Sequence, residues 1–396
     1  MSIQVSAAQK LAAPGNGAGL VGEDAAERAL RYEKVRAAMA GQGLDAVLAF
    51  APIWRRENLR YLTDASVGGA ATFALLAADG DPVAFTTRAE DAAAIRAAGW
   101  VGDVRRIRID DTRELTGALR DLGVTRLGVG HLELLPIAFS RVIRGAVPEV
   151  VSASKLLDGA RMVKSAWELA RMRKAARVSD AAWRTFVEVL EPGITEYDIV
   201  AEVEADIKRL GAEDNFMLIA SGRGDVLGMT PPGRRRIEVG DMVRTELTPQ
   251  TDGYWLQICR SVTVGPVSDA QQKSFELFHE AAEAGFAVVR PGITAHEVAV
   301  AENDVFRKHG YGEYCTSQWT RVRGHGLGLH IDETPIIEGN QTVLPEGATF
   351  IIHPNTYTPI AGYHVFGDQV VVTAAGAEYL VSTERRMFSS DEGSRR

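Results

Sequence analysis

The stretch Ile237 to Val264, IEVGDMVRTELTPQTDGYWLQICRSVTV, has the pattern of a β-hairpin. Val239, Met242 and Val243 lead into one strand. Thr251-Asp252-Gly253 supplies turn chemistry, and Tyr254 to Val264 returns with β-branched and aromatic residues. Glu246 sits near the end of the first strand, between Thr245 and Leu247. A carboxylate in such a strand is costly to bury without a partner. It therefore either faces water or is functional.

Working outward, the hairpin has a second copy. VGDMVRTELTPQTDGY, from Val239, is matched by EGATFIIHPNTYTPIAGY, from Glu346, so that Gly240 pairs with Gly347 and Glu246 with His353. Each hairpin follows a helix of the same pattern. EPGITEYDIVAEVEADIKRLGAE begins at Glu191 and RPGITAHEVAVAENDVFRKHGYG at Arg290. In each, Thr is placed to cap the helix, and a Gly (Gly211, Gly310) to end it. This is a duplicated helix-plus-hairpin unit rather than a long repeat array. Packed about a pseudo-two-fold axis, two such units make a curved sheet flanked by helices, with Glu246 and His353 approaching from two sides of one cleft.

Upstream, apolar positions Leu169, Met172, Ala176, Ser179, Trp183, Phe186 and Leu190 mark one face of a long core helix stopped by Pro192-Gly193. Before it, short apolar runs at 46–50, 72–77, 82–86 and 127–130 alternate with helical stretches at 23–43, 89–98, 112–122 and 134–144, the pattern of a small α/β domain.

With 396 residues the chain is too long for one small core, and two domains are expected. The net charge of -8 argues against a nucleic-acid partner. No uncharged apolar run is long enough to span a membrane. Two cysteines, Cys259 and Cys315, imply no disulfide framework and fit a cytoplasmic location. The first residues lack signal-peptide order.

The motifs ARMVKSAWELARMRKAA, PGITEYD, GDMVRTELTPQTDGYWLQICR, RGHGLGLHIDETP, EGATFIIHP and GDQVVVT occur in that order. As an ordered set they resemble the creatinase, prolidase, aminopeptidase P and methionine aminopeptidase superfamily. The resemblance implies an α+β pita-bread catalytic domain with internal pseudo-two-fold duplication at 156–390. A smaller α/β creatinase-type N-terminal domain at 23–155 and an N-terminal arm at 1–22 would precede it. It also implies a homodimer acting on a small-molecule substrate.

The family's metal peptidases carry five ligands: two Asp, a His and two Glu. Here the matching positions hold Glu246, Gln257, His325, His353 and Gly367. Two close metal ions need bridging carboxylates, so no dinuclear centre is expected. The resemblance thus points to a divergent member, neither a creatinase nor an aminopeptidase P. The ectoine-hydrolase branch resembles this chain in having Glu at the first position.

Glu246, His325 and His353 are the candidate catalytic residues. Two histidines and a carboxylate would also hold one Fe(II) or Zn²⁺, if a single divalent metal is bound. Tyr254, Arg323, Asp332, Tyr357 and His364 are candidate substrate-binding residues. The expected function is hydrolysis of a non-peptide C–N bond (amide, amidine or cyclic amidine) in a small polar metabolite, Glu246 acting as base or nucleophile. Two alternatives stay open: a mononuclear Fe(II) or Zn enzyme doing oxidative or lyase chemistry, and a non-catalytic, peptidase-like binding module.

Overall fold

A computed structural model describes residues 21–395. The expected arm at 1–22 lies outside the described residues, except for Val21 and Gly22, which open the first helix, Val21–Gln42.

The N-terminal part is a six-stranded sheet in the order Asp103–Arg106, Val83–Thr86, Thr72–Ala77, Ala46–Ala51, Arg126–Gly130, Glu149–Ser152. Ala46–Ala51 is apolar and buried along its whole length. It pairs antiparallel with Thr72–Ala77 and parallel with Arg126–Gly130. A strand buried on both faces needs helices on both sides. The intervening segments Ala89–Ala98, Arg113–Asp121 and Ile137–Ala146 supply them.

The long helix runs Ala166–Val189 and is fixed at its start by a capping box between Ser165 and Glu168. Met172, Ala176, Trp183 and Phe186 are buried along one face, as their spacing requires. A single apolar cluster extends from Tyr32 and Leu59 through Met172 and Phe186 to Leu247 and Val262. The two parts of the chain therefore share one core.

The duplication is visible in backbone detail. Thr195 caps Glu196–Arg209 and Thr294 caps Ala295–Lys308, each in a reciprocal capping box and each helix 14 residues long. The glycines that end them, Gly211 and Gly310, have φ of 89° and 82°, a conformation open to Gly at no steric cost. The catalytic sheet runs Pro335–Ile336, Gly324–Gly326, Thr349–Ile352, Gly367–Thr373, Ile258–Thr263, Met242–Thr251, Asp214–Gly222. The two repeats meet at its centre, where Ile258 pairs with Asp368 and Cys259 with Gly367. On either side of this seam the order mirrors itself, so Met242–Thr251 and Thr349–Ile352 are mates. This is the α+β pita-bread arrangement.

Alternation sorts the sheet's side chains. Leu247, Ile258, Ile352 and Val370 join the large apolar clusters. Cys259 and Ile351 point the other way, and with Leu327 and Val365 form a separate small apolar cluster. That cluster is the floor of the cleft.

Candidate active site

Register places the candidate residues before any contact is considered. Glu246 is opposite Cys259, and Cys259 is opposite Gly367. Ile352 is opposite Asp368, so His353, the next residue, stands beside Gly367. Directly opposed residues of antiparallel strands share a face. Glu246, Cys259, Gly367 and His353 thus form a row across the cleft side of the sheet. His325, opposite Ile351, lies on the same face. The rings of His325 and His353 meet edge-on, with centroids 5.3 Å apart.

Glu246 is half-buried, and its two oxygens are held by carboxamides. Asn355 Nδ2 donates to Oε1 at 2.9 Å, and Gln257 Nε2 donates to Oε2 at 3.4 Å. Burial pushes its pKa up, while the Asn355 hydrogen bond and the charge of Arg321 pull it back. His325 Nδ1 lies 3.2 Å from Gly326 O and 3.8 Å from Asp332 Oδ1. Burial pushes the His325 pKa down, against the pull of Asp332. His353 is pushed well below the usual histidine value, first by burial and then by His325. Its Nδ1 is buried without a hydrogen-bond partner among the described residues. The site therefore presents a basic carboxylate beside two neutral imidazoles on an apolar floor.

Of the five candidate substrate-binding residues, one contacts this site, one joins an aromatic stack, and three are buried away from it. Asp332 bridges Arg321 (3.0 Å) and His325. Tyr357 stacks on Trp319, with centroids 5.0 Å apart and planes at 23°, and forms a partly buried aromatic wall with Tyr314. Tyr254 is fully buried on the opposite side of the sheet. Its hydroxyl donates to Glu168 at 3.0 Å and accepts from Arg31 at 2.7 Å. His364 is also in the core, stacked on Phe278 at 4.8 Å with Ser274 Oγ 3.1 Å from Nδ1, and burial pushes its pKa down to about 3. Arg323 is buried over the Phe306 ring and donates to Asn303, Pro354 O and Asn355 O. It staples the His353-Pro354-Asn355 segment rather than facing the cleft.

Two further residues near the site serve the sheet and the core rather than a ligand. A Cβ on Gly324 would lie 2.0 Å from Ile351 O, so what Gly324 admits is the neighbouring strand. Asp368, adjacent to a lost ligand position, is turned from the cleft into a buried cluster with Arg260 at 2.6 Å and Arg385 at 3.1 Å. Asn355, Gln257 and Arg321 reach the site residues and were not singled out as members. Asn355 carried a signal, its place two residues after His353 in the mated hairpin.

Residues 170–374 match metallopeptidase family M24, and residues 31–163 match the creatinase/prolidase N-terminal domain. The chain belongs to the M24 family. Among curated relatives, the uncharacterized peptidase YqhT of Bacillus subtilis (strain 168) is 27% identical over 368 residues, covering 91% of this chain and 99% of that one. An Xaa-Pro dipeptidase of Pyrococcus horikoshii is 30% identical over 271 residues, 67% of this chain and 76% of that one. Among solved structures, the prolidase from Pyrococcus horikoshii OT3 superposes with a TM-score of 0.79 at 27% identity, covering 90% of this chain and 99% of that one. The dipeptidase PepE from Mycobacterium ulcerans gives 0.78 at 26% identity, covering 93% and 99%.

Membership makes the chain a hydrolase of this family and corrects the expected chemistry. The relatives are named as peptidases and dipeptidases, which overturns the expectation of a non-peptide C–N hydrolase acting on a small metabolite. A creatinase-like specificity has no support among them.

A metallopeptidase family implies a divalent metal, but the residues here do not fit a pair of ions. Glu246 is the one carboxylate among the five matching positions. Gln257 is neutral and spends its amide on Glu246. A side chain at Gly367 has no room, because its Cβ would lie 2.4 Å from Ile352 O and 2.5 Å from His353 Cβ. Among the described residues, no three His, Cys, Asp or Glu side chains converge as metal ligands. No catalytic step is therefore routed through a metal below.

Proposed function

We propose that this chain hydrolyses the amide bond of a short peptide in the cleft between its two repeats. The observation that carries the reading is the row of Glu246 and His353 on one apolar sheet face, with Glu246 anchored by Asn355 and its pKa raised by burial. A carboxylate tuned upward is matched to taking a proton near neutral pH. Glu246 removes a proton from the attacking water as its oxygen bonds to the carbonyl carbon. Neutral His325 and His353 donate hydrogen bonds to the carbonyl oxygen as it becomes negative. The proton on Glu246 then passes to the leaving nitrogen as the C–N bond breaks. The relatives' peptide chemistry supports the substrate class.

The test is release of free amino acids from a dipeptide panel by tag-free protein. Glu246→Gln is expected to lower kcat by about 10²–10⁴, the usual contribution of a positioned proton acceptor. Cleavage retained in that variant, or no dipeptide cleaved by the wild type, would sink the reading. A single divalent ion is the family chemistry, although Glu246, His325 and His353 do not converge on one point among the described residues. Metal content of the wild type and His353→Ala reports on it. A cytoplasmic homodimer belongs to the same proposal, supported for location by two free cysteines. No described helix is long and apolar enough to cross a membrane.

A further inference from the structure

The row of Glu246, Cys259, Gly367 and His353 has a neighbour one step along the strands. Ile258 pairs with Leu247 on one side and with Asp368 on the other. The residue before it, Gln257, therefore stands between Thr248 and Gln369, and alternation turns all three to the cleft side of the sheet. Ile351, opposite Gln369, and His325, opposite Ile351, complete this second row. Gln257, Gln369 and Thr248 are 3%, 0% and 0% exposed. None carries a charge, and each keeps one polar atom without a hydrogen-bond partner among the described residues: Gln257 Oε1, Gln369 Nε2 and Thr248 Oγ1. The other ends of the two carboxamides are fixed. Gln257 Nε2 donates to Glu246, and Gln369 Oε1 accepts from Gln257 N–H at 3.1 Å. These bonds orient both amides, so that an unmet acceptor and an unmet donor stand on adjacent strands. Two residues before Gln257, the half-buried ring of Trp255 packs against the apolar floor. Buried polar atoms are costly when left unmet, and here they occur together beside Glu246.

We propose that Gln257 and Gln369 form a subsite for the acylated amino end of a short peptide, the acyl amide bridging their two carboxamides and the acyl group lying on Trp255. The subsite rests on the peptide-hydrolase reading for the reaction, but not for binding. It selects by what each chemical group can offer. An acyl amide gives its N–H to Gln257 Oε1 and its C=O to Gln369 Nε2. A free ammonium has donors only and leaves Gln369 unmet. A carboxylate has acceptors only, leaves Gln257 unmet and is repelled by Glu246. Charge argues in the same direction. Burying an ammonium among neutral groups is expensive. Beside Glu246 it would also favour the ionised carboxylate, against the upward push that burial gives that group. A neutral amide leaves the push intact, so Glu246 keeps its affinity for a proton. The two rows then set the order along the substrate. The scissile amide lies over Cys259 and Gly367, between Glu246 and His353, and the acyl amide one residue before it lies over Gln257 and Gln369.

The experiment measures binding by calorimetry and hydrolysis in parallel, with Ala-Leu and N-acetyl-Ala-Leu, on the full chain. Wild type is expected to bind the acetylated peptide about tenfold or more tighter, the size of one buried polar group left unmet by the free amine. The free dipeptide is expected to be the slower substrate of the two. Gln369→Glu keeps the acceptor that holds Gln257 N–H and turns the unmet donor into a second acceptor, which reverses the preference. Gln369→Met keeps the bulk without the amide and abolishes the preference without reversing it, and a thermal unfolding midpoint confirms that each variant is folded. Equal or tighter binding of the free dipeptide by wild type, no binding of either peptide, or a preference that survives both substitutions, overturns the subsite. Acetylated peptide bound preferentially through Gln369, with neither peptide ever cleaved, would sink the hydrolase reading while leaving the subsite standing.

Discussion

Glu246 is held in the cleft by neutral groups. Asn355 donates to it through Nδ2 and accepts from Phe366 N–H through Oδ1 at 3.0 Å. The amide is thereby fixed at both ends and orients the carboxylate. A hydrogen bond to the charged form favours ionisation, so Asn355 opposes the upward push of burial on Glu246. Asn355→Ala removes the donor. The Glu246 pKa is expected to rise further, and the acid limb of kcat/KM against pH moves to higher pH. An acid limb that stays in place would show that Asn355 does not tune Glu246. At this scale the sequence was informative where the duplication spoke. Glu246 and His353 were legible because the repeat makes them mates. Arg323 and Arg321 are two residues apart, and composition does not say which becomes a buried staple and which stays in solvent.

The strands and helices around the site were legible to within a few residues, because period-two and helical apolar patterns mark buried faces directly. What the pattern left open was the use of particular positions within an element. The short strand Gly362–His364 shows this. His364 is near the cleft in sequence, but alternation and pairing with Thr356 turn it towards helix Asp269–Val288, onto Phe278. Burial brings its folded pKa to about 3, below the ordinary histidine value of 6.5. Between these values the unfolded chain binds a proton that the folded chain excludes. His364 thus contributes stability that is fully present above about pH 6.5 and is lost as pH falls towards 3. Each pH unit in that window costs up to about 1.4 kcal/mol. Chemical denaturation from pH 7 to 4 is expected to show a shallower loss of stability for His364→Gln than for wild type. Parallel pH profiles would mean that His364 is accessible to protons in the folded state. Gly367 is the complementary case. The missing carboxylate ligand reads as a simple loss in sequence, but in the sheet a Cβ there would meet Ile352 O and His353 Cβ, so the close approach of the two strands itself requires glycine.

The whole molecule is held together by charge buried between its two parts. Arg31, on the first helix, is fully buried and salt-bridged to Glu27 at 2.6 Å. It donates to Tyr254 Oη at 2.7 Å and lies 3.6 Å from Glu168 of the long helix. Its guanidinium also packs over the rings of Tyr61, Trp100 and Trp167. A second group joins Arg161 and Lys164 to Glu333, in the loop that follows His325. Such groups are expensive to disrupt singly, because the remaining charge stays buried without its partner. With one apolar cluster spanning both parts, thermal unfolding is expected as a single transition. Sequence could not foresee the Arg31–Tyr254 contact, since 223 residues separate the partners and an aromatic at a hairpin turn serves a pocket or a core equally well. Tyr254→Phe separates those roles. It keeps the ring and removes the hydroxyl, leaving a buried Arg31 donor unpaired at a cost of about 1–3 kcal/mol. A lower denaturation midpoint with unchanged KM for a cleaved dipeptide is the expected result. A raised KM at unchanged stability would return Tyr254 to the substrate site and place the cleft on the other face of the sheet.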